Sequence, residues 1–295
     1  MVMVQKIETE KKIWIVGRRV LTVLILIALI TGGHILINFA RKAEPVSGDR
    51  TAWLTTTWIA HRGVHNDQIP ENTVAAFNAA IEKGRPIELD VSMTRDKQLV
   101  VFHDKKLKRL FGLDAYVKDM TYEQLAGLEF PDSTERIPLF GQILTVVDGR
   151  VPLLIEIKNE GEVGEMEQRV YEELKAYQGP YAIQSFNPYS LKWFREHAPH
   201  VLRGQLSGSF IVSDYEVEYA GTTRLPWYKR IPLSHLLLNF ESRPHFIAYE
   251  VEYADEKTFQ ELKKLGVPVL GWTIKDQAMY QKAKDQCDNL IVDPF

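Results

Sequence analysis

Residues 87–103 read IELDVSMTRDKQLVVFH, two apolar runs separated by a short polar stretch. The first run alternates apolar residues with Glu88 and Asp90, which places both carboxylates on one face of a strand. The polar stretch between the runs is only a few residues long, whereas a parallel partner would require a crossover of roughly a dozen or more residues. We therefore predict that 99–103 returns antiparallel to the first run, as the second arm of a hairpin.

Strand candidates recur on both sides of this hairpin, and amphipathic stretches separate them. This alternation predicts βα units and a parallel sheet. The candidates are 57–61, 87–91, 152–157, 181–185, 201–206, 246–250, 266–272 and 289–293. Eight parallel strands close a (β/α)8 barrel. The predicted fold class is therefore α/β, a TIM-type barrel with an insertion after the second strand. The insertion covers 104–151, and a capping-box pattern predicts a helix that begins at Thr121.

The composition and charge of the chain exclude several classes of protein. The chain has 295 residues, 45% hydrophobic and 25% charged, which excludes a disordered, collagen-like or multi-span membrane protein. Residues 1–45 carry a net charge of +4, from seven Lys/Arg and three Asp/Glu, which leaves −7 on the remaining 250 residues. An acidic body lacks the cationic surface that nucleic-acid binding requires. The composition therefore predicts one large globular domain behind a basic head.

The basic head contains a run, 20–40, without Lys, Arg, Asp or Glu. At about 1.5 Å per residue, a helix of this length spans a hydrocarbon core of roughly 30 Å. Five Lys/Arg precede the run, so the positive-inside rule keeps 1–19 in the cytoplasm. We predict a single-pass protein of the cell membrane, with transmembrane helix 20–40, a linker at 41–56 and an extracytoplasmic barrel domain at 57–295. A cleaved signal peptide and a buried core helix are the alternatives.

Carboxylates lie at the predicted C-terminal ends of the barrel strands, where barrel enzymes hold their active sites. Glu88 and Asp90 share a face of the second strand, and Glu156 and Lys158 share a face of the third. Oxygen ligands suit a hard cation, so Glu88, Asp90 and Glu156 predict a site for one divalent cation, Mg²⁺ or Ca²⁺. The alternative is a set of solvated carboxylates on an edge strand.

Two histidines end at the same predicted edge of the barrel. His61 closes the first strand, and His103 closes the hairpin arm beside the second. Because imidazoles titrate near neutral pH, this pair predicts a base and an acid for attack on a phosphodiester, with their order left open. Arg62 and Lys158 are the predicted phosphate contacts. His65 stays unassigned.

Six motifs along the chain resemble the glycerophosphodiester phosphodiesterase family. They are IAHRG at 59–63, PENTVAAF at 70–77, IELDVSMTRDKQLVVFHD at 87–104, LLIEIK at 153–158, QSFNP at 184–188 and GWTI at 271–274. The resemblance extends from about residue 57 to the C-terminus. It implies a TIM-type barrel with an insertion after the second strand, which agrees with the pattern of strands.

The resemblance also implies a role for each matching residue. The implied metal ligands are Glu88, Asp90 and Glu156, the acid–base pair is His61 and His103, and the phosphate contacts are Arg62 and Lys158. Trp272 matches a substrate-facing aromatic, with a core position as the alternative. Glu71 matches a position near the site, where it either ligates or hydrogen-bonds to groups that do.

The predicted activity is metal-dependent hydrolysis of a glycerophosphodiester to sn-glycerol 3-phosphate and an alcohol. A lysophospholipase D-like or sphingomyelinase D-like phosphodiesterase, an aldolase with a Schiff base on Lys158, and a non-catalytic membrane-tethered binding module are the alternatives. The expected partners are a small-molecule or lipid-headgroup phosphodiester and a membrane, with no nucleic acid and the oligomeric state open. Residues 207–245, rich in aromatic and basic side chains, predict either an ordinary loop and outer helix or a lip that touches lipid.

Overall fold

The structure, a computed structural model, describes Thr22, Val23, Leu26 and residues 29–159 and 161–295. Its sheet has nine strands within these residues. The strands are β1 (Ile59–Ala60), β2 (Ile87–Met93), β3 (Leu99–Val101), β4 (Leu153–Ile157), β5 (Tyr181–Ser185), β6 (Leu202–Ser207), β7 (Phe246–Glu250), β8 (Val269–Ile274) and β9 (Asn289–Val292). All except β3 are parallel and close into a barrel in the order β1-β2-β4-β5-β6-β7-β8-β9, with β9 paired to β1.

The predicted barrel and hairpin are confirmed. Each predicted strand overlaps an observed one, and the largest displacement is at β8, which covers Val269–Ile274 where 266–272 was expected. The strand β3 pairs antiparallel with the end of β2, through Val91 with Val101 and Met93 with Leu99. The register therefore brings the end of β3 back towards the C-terminal end of β2.

Helices cover the outside of the barrel. Two short ones, α1 (Gly48–Thr51) and α2 (Trp53–Thr56), precede β1. The others after β1 are α3 (Val74–Glu82), α4 (Lys108–Phe111), α5 (Tyr122–Ala126), α6 (Phe140–Val147), α7 (Glu165–Leu174), α8 (Pro188–His197), α9 (Trp227–Ser234), α10 (Asn239–Ser242), α11 (Glu256–Lys263) and α12 (Gln277–Ala283), with a 3₁₀ helix at Val117–Asp119 and a π-helix at Glu216–Ala220.

Side chains on the barrel strands alternate between an outer and an inner core. On β2, Ile87, Leu89 and Val91 are buried in the outer core, together with apolar residues of α3 and α6. Because successive side chains on a strand point to opposite faces, Glu88 and Asp90 point into the barrel. The alternation of apolar and acidic residues along β2 thus places two carboxylates in the interior of the barrel.

The insertion after β2 has an apolar core of its own. Phe102, Val117, Leu125 and Phe130 are buried in it. Helix α5 begins at the predicted capping box, in which the Thr121 hydroxyl accepts from the Gln124 amide and the Gln124 side chain accepts from the Thr121 amide. This small core holds the end of β3 in place beside the mouth of the barrel.

The predicted linker, 41–56, packs against the barrel in its second half. Leu54 of α2 is fully buried among inward-facing residues that include Ile59 and Leu154. The Asn289 side-chain amide donates to the backbone carbonyl groups of Leu54 and Thr57. The apolar side chain of Leu54 thus closes the end of the barrel at which the strands begin.

The predicted transmembrane helix, 20–40, lies partly outside the described residues. Residues 29–40 are helical, and Leu29, Ile35 and Phe39 are exposed on that helix. In the part of the chain that the structure describes, none of the helices has the length and apolar character needed to cross a membrane.

Candidate active site

Three carboxylates meet inside the barrel at the C-terminal ends of β2 and β4. Asp90 lies in register with Glu156 on the neighbouring strand, and Glu88 precedes Asp90 on the same face. Oxygen atoms of Glu88, Asp90 and Glu156 lie within 4.8 Å of one another, and all three residues are buried. The structure therefore brings together the three residues predicted to ligate a metal.

The carboxylate cluster holds negative charge that its surroundings neutralise only in part. Burial raises the pKa of Glu88 well above its usual value, and the charges of Asp90 and Glu156 raise it further. Burial also raises the pKa of Glu156 to about 7, against the opposing effect of the Lys158 ammonium. Like charges this close disfavour ionisation unless a cation lies among them. The cluster is therefore a place where a bound cation would be stabilised.

Two cationic side chains contact the carboxylates. The Lys158 Nζ atom is 2.8 Å from Glu156 Oε1 and 3.5 Å from Asp90 Oδ1. The Arg62 Nε atom is 3.4 Å from Asp90 Oδ2. Burial alone would lower the pKa of Lys158, but Glu156 and Asp90 raise it above its usual value. Because a Schiff base forms on an unprotonated amine, this ion pair argues against the aldolase alternative.

The turn after β1 positions Arg62. Gly63 has a φ of +82°, and a Cβ atom there would lie 2.9 Å from the backbone carbonyl of Ala76. Glycine therefore allows the chain to turn tightly against α3. The turn aims the Arg62 backbone N–H at Glu88, with a donor–acceptor distance of 3.2 Å.

Each candidate catalytic histidine forms a hydrogen bond between its Nδ1 atom and an aspartate. His61 Nδ1 is 2.6 Å from Asp293 Oδ1, and His103 Nδ1 is 2.7 Å from Asp104 Oδ1. A carboxylate only accepts hydrogen bonds, so each Nδ1 carries a proton and each Nε2 remains available. Burial lowers the pKa of both rings and the charge of Arg62 adds to this effect, so that the pKa of His103 falls to about 4. These shifts favour the neutral form of both rings.

An arginine from the insertion links the two sides of the site. Arg109 Nη2 lies 2.6 Å from Glu71 Oε1, and Arg109 Nε lies 2.6 Å from Asp104 Oδ2. Glu71 also accepts from Arg62 Nη1 at 2.7 Å. Burial alone would raise the pKa of Glu71, but the two guanidinium groups hold it well below its usual value. Glu71 thus bridges two arginines, which favours its hydrogen-bonding role over direct ligation.

A cavity at the C-terminal mouth of the barrel joins these groups. Its lining residues are His61, Arg62, Glu88, His103, Glu156, Gln184, Phe186, Leu206, Trp272, Thr273 and Ile291. The Trp272 and Phe186 rings meet edge to face, with ring centroids 5.5 Å apart. One part of the cavity is therefore aromatic, and Trp272 both lines the cavity and packs against the inner core of the barrel. Lys158 is not among the lining residues, since its ammonium is turned to the carboxylates.

The aromatic and basic segment 207–245 connects β6 to β7. Its helix α9 contains no buried residue, and Trp227 is 69% exposed. The Ser207 hydroxyl, at the end of β6, donates to the Leu233 carbonyl. This bond places the end of α9 at the catalytic end of the barrel, so the helix lies at the rim.

The chain that carries this site matches one protein family over most of its length. The sequence model of the glycerophosphoryl diester phosphodiesterase family matches residues 61–295. The chain belongs to this family. A glycerophosphodiester phosphodiesterase of Caldanaerobacter subterraneus subsp. tengcongensis is 33% identical over 257 residues, covering 81% of this chain and 95% of the relative. A lysophospholipase D of Rattus norvegicus is 27% identical and covers 86% of this chain and 88% of the relative.

A solved structure of a related enzyme has the same fold. The phosphodiesterase of Oleispira antarctica, in complex with the product sn-glycerol-3-phosphate, superimposes with a TM-score of 0.65 at 25% identity. The superposition covers 81% of this chain and 93% of that one. The glycerophosphoryl diester phosphodiesterase fold thus extends over nearly all of the barrel domain.

Three charged residues lie in this glycerophosphoryl diester phosphodiesterase site without having been predicted from the sequence. Asp104 directly follows His103, and Asp293 directly follows the last strand, so both had a positional signal. Arg109 had none, because the irregular insertion has no periodicity that shows which side chain turns towards the barrel. The unassigned His65 also lies here, with its Nε2 atom 3.4 Å from Asp293 Oδ1.

Proposed function

We propose that this chain hydrolyses glycerophosphodiesters to sn-glycerol 3-phosphate and an alcohol. The observation that carries the proposal is the cavity at the C-terminal end of the barrel, because two histidines, an arginine and clustered carboxylates all reach it. Histidines supply proton transfer, and a guanidinium binds phosphate oxygens. The related structure that holds sn-glycerol-3-phosphate supports the same substrate class.

We infer that Glu88, Asp90 and Glu156 hold one divalent cation, Mg²⁺ or Ca²⁺. Carboxylate oxygens are the donors that both ions prefer. Asp90 Oδ1 is buried without a hydrogen bond, and burial together with the charges of Asp90 and Glu156 raises the pKa of Glu88. The donor set therefore fits such an ion. When bound, the ion supplies Lewis-acid stabilisation of charge on the phosphate and a lowered pKa for a nearby hydroxyl.

His61 and His103 move the protons of the reaction in this proposal. The glycerol 2-hydroxyl loses its proton to Nε2 of one ring as its oxygen bonds to phosphorus, while the P–O bond to the alcohol breaks and the alcohol takes a proton from Nε2 of the other ring. Water then opens the resulting cyclic phosphate with the two ring roles exchanged. Asp293 and Asp104 hold the tautomer that presents Nε2. An anionic phosphate in the cavity raises the pKa of both rings, which allows one of them to carry the proton that it donates.

Arg62 is the proposed direct phosphate contact, and Lys158, predicted as a second contact, is proposed to act on the phosphate through its charge. Arg62 already lines the cavity. The Lys158 ammonium pairs with Glu156 and Asp90, so it is proposed to attract the phosphate electrostatically and not by direct contact. The two cations thus give an acidic protein a local surface that attracts an anion.

The first test is metal removal. The full chain is expected to release sn-glycerol 3-phosphate from glycerophosphocholine in the presence of Mg²⁺ or Ca²⁺, because the carboxylate cluster then binds an ion. EDTA is expected to stop the release, and an excess of either ion is expected to restore it. A coupled assay for glycerol 3-phosphate measures both results. Undiminished release in EDTA would contradict the metal assignment, and no release from any glycerophosphodiester would contradict the activity.

A lysophospholipase D-like or sphingomyelinase D-like activity on lipids is the second candidate. The Rattus norvegicus relative favours it, and so does the aromatic part of the cavity formed by Trp272 and Phe186, which suits an apolar group. Comparison of glycerophosphocholine with lysophosphatidylcholines of increasing chain length separates the candidates. Turnover that rises with chain length would favour the lipid activity.

We also propose that residues 20–40 anchor the chain in the cell membrane, with 1–19 cytoplasmic and the barrel extracytoplasmic. The uncharged run, the basic residues before it and the exposed Leu29, Ile35 and Phe39 support this topology. The chain is expected to resist carbonate extraction from membranes, and protease added outside intact cells is expected to digest the barrel. A shortened soluble form would instead indicate a cleaved signal peptide.

A further inference from the structure

A second cavity lies at the opposite end of the barrel from the histidines. Its volume is about 530 Å³, and its charged lining residues are Lys42, Glu44, Arg195, Arg203 and Arg243. Arg203 is near the start of β6, and Arg243 lies just before β7. The cavity is thus built between the residues that follow the N-terminal helix and the amino ends of two barrel strands.

Positive charge in this second cavity exceeds negative charge. Four cationic side chains face one carboxylate, Glu44, which is 3.3 Å from Arg203 Nη2. Within the described residues, neither Lys42 nor Arg243 forms an ion pair. The remaining cation, Arg195, pairs with the exposed Glu196 at 3.4 Å and donates to the Phe240 carbonyl. In a protein whose body is acidic, this excess of cations, two of which have no carboxylate partner among the described residues, indicates a site for an anion.

Arg203 gives the cavity a rigid base. Its side chain is 1% exposed, and its guanidinium donates to the backbone carbonyl groups of Val201, Ser242 and Arg243. Burial lowers the pKa of Arg203 to about 10, although Glu44 opposes the effect. Because the N–H groups of Arg203 are committed to protein acceptors, this residue contributes a fixed positive charge and a rigid wall, and the other lining cations are left to contact a ligand.

The second cavity adjoins the end of the apolar N-terminal helix. Phe39, exposed in that helix, stacks on Phe240 with ring centroids 5.9 Å apart. The carbonyl oxygen of the same Phe240 accepts from Arg195 Nη1 and from Arg243 Nε. Two of the cavity cations are therefore held at the level at which the chain would leave a membrane, where basic side chains meet lipid phosphates.

We propose that this second cavity binds the phosphate of an anionic phospholipid headgroup and so fastens the amino end of the barrel to the membrane surface. The proposal rests on the membrane anchor proposed above. Strands of about five residues separate the two cavities by roughly 17 Å. A lipid held here is out of reach of His61 and His103, so it is a structural ligand and not the substrate.

The test compares lipids retained by the full chain. The protein is incubated in detergent micelles that contain equal amounts of dioleoyl phosphatidylglycerol and dioleoyl phosphatidylcholine, recaptured and washed, and its bound lipid is measured by mass spectrometry. The wild-type chain is expected to retain the anionic lipid preferentially. In the double variant Lys42→Gln/Arg243→Gln this preference is expected to fall by roughly 25-fold, since each of the two cations near a headgroup contributes about fivefold.

The matched control removes the same charge elsewhere. Lys229 and Arg230 are exposed on α9, at the other end of the barrel. The variant Lys229→Gln/Arg230→Gln is expected to keep the wild-type preference, and turnover of glycerophosphocholine is expected to be unchanged in both variants. Turnover reports the catalytic proposal separately, because lipid retention does not require activity.

Three outcomes would overturn the lipid site. The first is wild-type retention by Lys42→Gln/Arg243→Gln, and the second is an equal loss in the control variant, which would indicate a general charge effect or contact through α9. The third is complete displacement of phosphatidylglycerol by an equimolar amount of inorganic phosphate, which would indicate that a soluble phosphate is the ligand. Retention that survives this competition supports the headgroup.

Discussion

Replacing His103 by alanine is expected to reduce kcat for glycerophosphocholine by ~10²–10⁴-fold, the usual contribution of a positioned acid or base. The ring lines the cavity, and Asp104 pairs with its Nδ1 atom, which leaves Nε2 available. The variant removes this proton acceptor or donor without touching the carboxylate cluster. KM and the affinity for Mg²⁺ or Ca²⁺ are therefore expected to change little.

A matched control exists on the surface of the same chain. His197, at the end of α8, is exposed and bonds to the carbonyl of Trp193. The variant His197→Ala is expected to keep wild-type turnover. Steady-state kinetics on both variants, with metal affinity measured by calorimetry, separates a proton-transfer role from general damage. Near-native turnover of His103→Ala, or a parallel loss of metal affinity, would contradict the assignment.

The barrel was predictable because its strands have a simple pattern. Each strand is a short apolar run, and two-residue spacing puts Glu88 and Asp90 on the inward face that the structure shows. The connection between β2 and β3 is too short for a parallel crossover, so the hairpin followed from chain length alone. These features depend on local sequence, which is why the sequence was sufficient for them.

The contacts that orient the site depend on residues far apart in the chain. Asp293 reaches His61 across 232 positions, and Arg109 reaches Glu71 across 38. The docking of Leu54 under the barrel is also a long-range contact, with residues such as Phe246. No period or local motif encodes such pairs, so only the folded chain reveals them.

Arg109 links the insertion to the active-site residues that the barrel carries. It belongs to the insertion, yet it donates to the aspartate that orients His103 and to the glutamate that holds Arg62. The insertion core keeps α4, and with it Arg109, against the barrel. The insertion therefore contributes to the active site through orientation of a histidine and an arginine that the barrel itself carries.

Replacing Glu88 by glutamine is expected to have opposite effects on activity and on the stability of the protein without a bound divalent ion. The carboxylate is lost from the metal cluster, so turnover is expected to fall by ~10³-fold, because metal stabilisation of the reacting phosphate is worth several kcal/mol. Without the ion, however, Glu88 is a buried acid whose pKa is raised by burial and by two neighbouring carboxylates.

The sign of the stability effect follows from that pKa. An acid whose pKa is higher in the folded chain than in the unfolded chain binds its proton more tightly when folded. At a pH above the unfolded-state pKa, such an acid therefore lowers the free energy of unfolding. Glutamine removes this cost at pH 7–8 and keeps the side-chain volume. In EDTA, the Tm of Glu88→Gln is expected to lie above that of the wild type by roughly 2–4 °C for each kcal/mol relieved.

Thermal unfolding with and without Mg²⁺ or Ca²⁺ measures the stability effect and the loss of ion binding, and the coupled assay for glycerol 3-phosphate measures turnover. The Tm of the wild type is expected to rise on addition of the ion, because a ligand that binds only the folded state stabilises that state. For Glu88→Gln, most of this ion-dependent rise in Tm is expected to be lost.

The control is Glu173→Gln on α7, where burial alone raises the pKa of a half-buried glutamate outside the cluster. This control is expected to keep full turnover and the full metal-dependent gain. A normal metal-dependent gain in Glu88→Gln would show that the ion binds elsewhere, and a lowered Tm in EDTA would show that Glu88 is compensated in the metal-free fold.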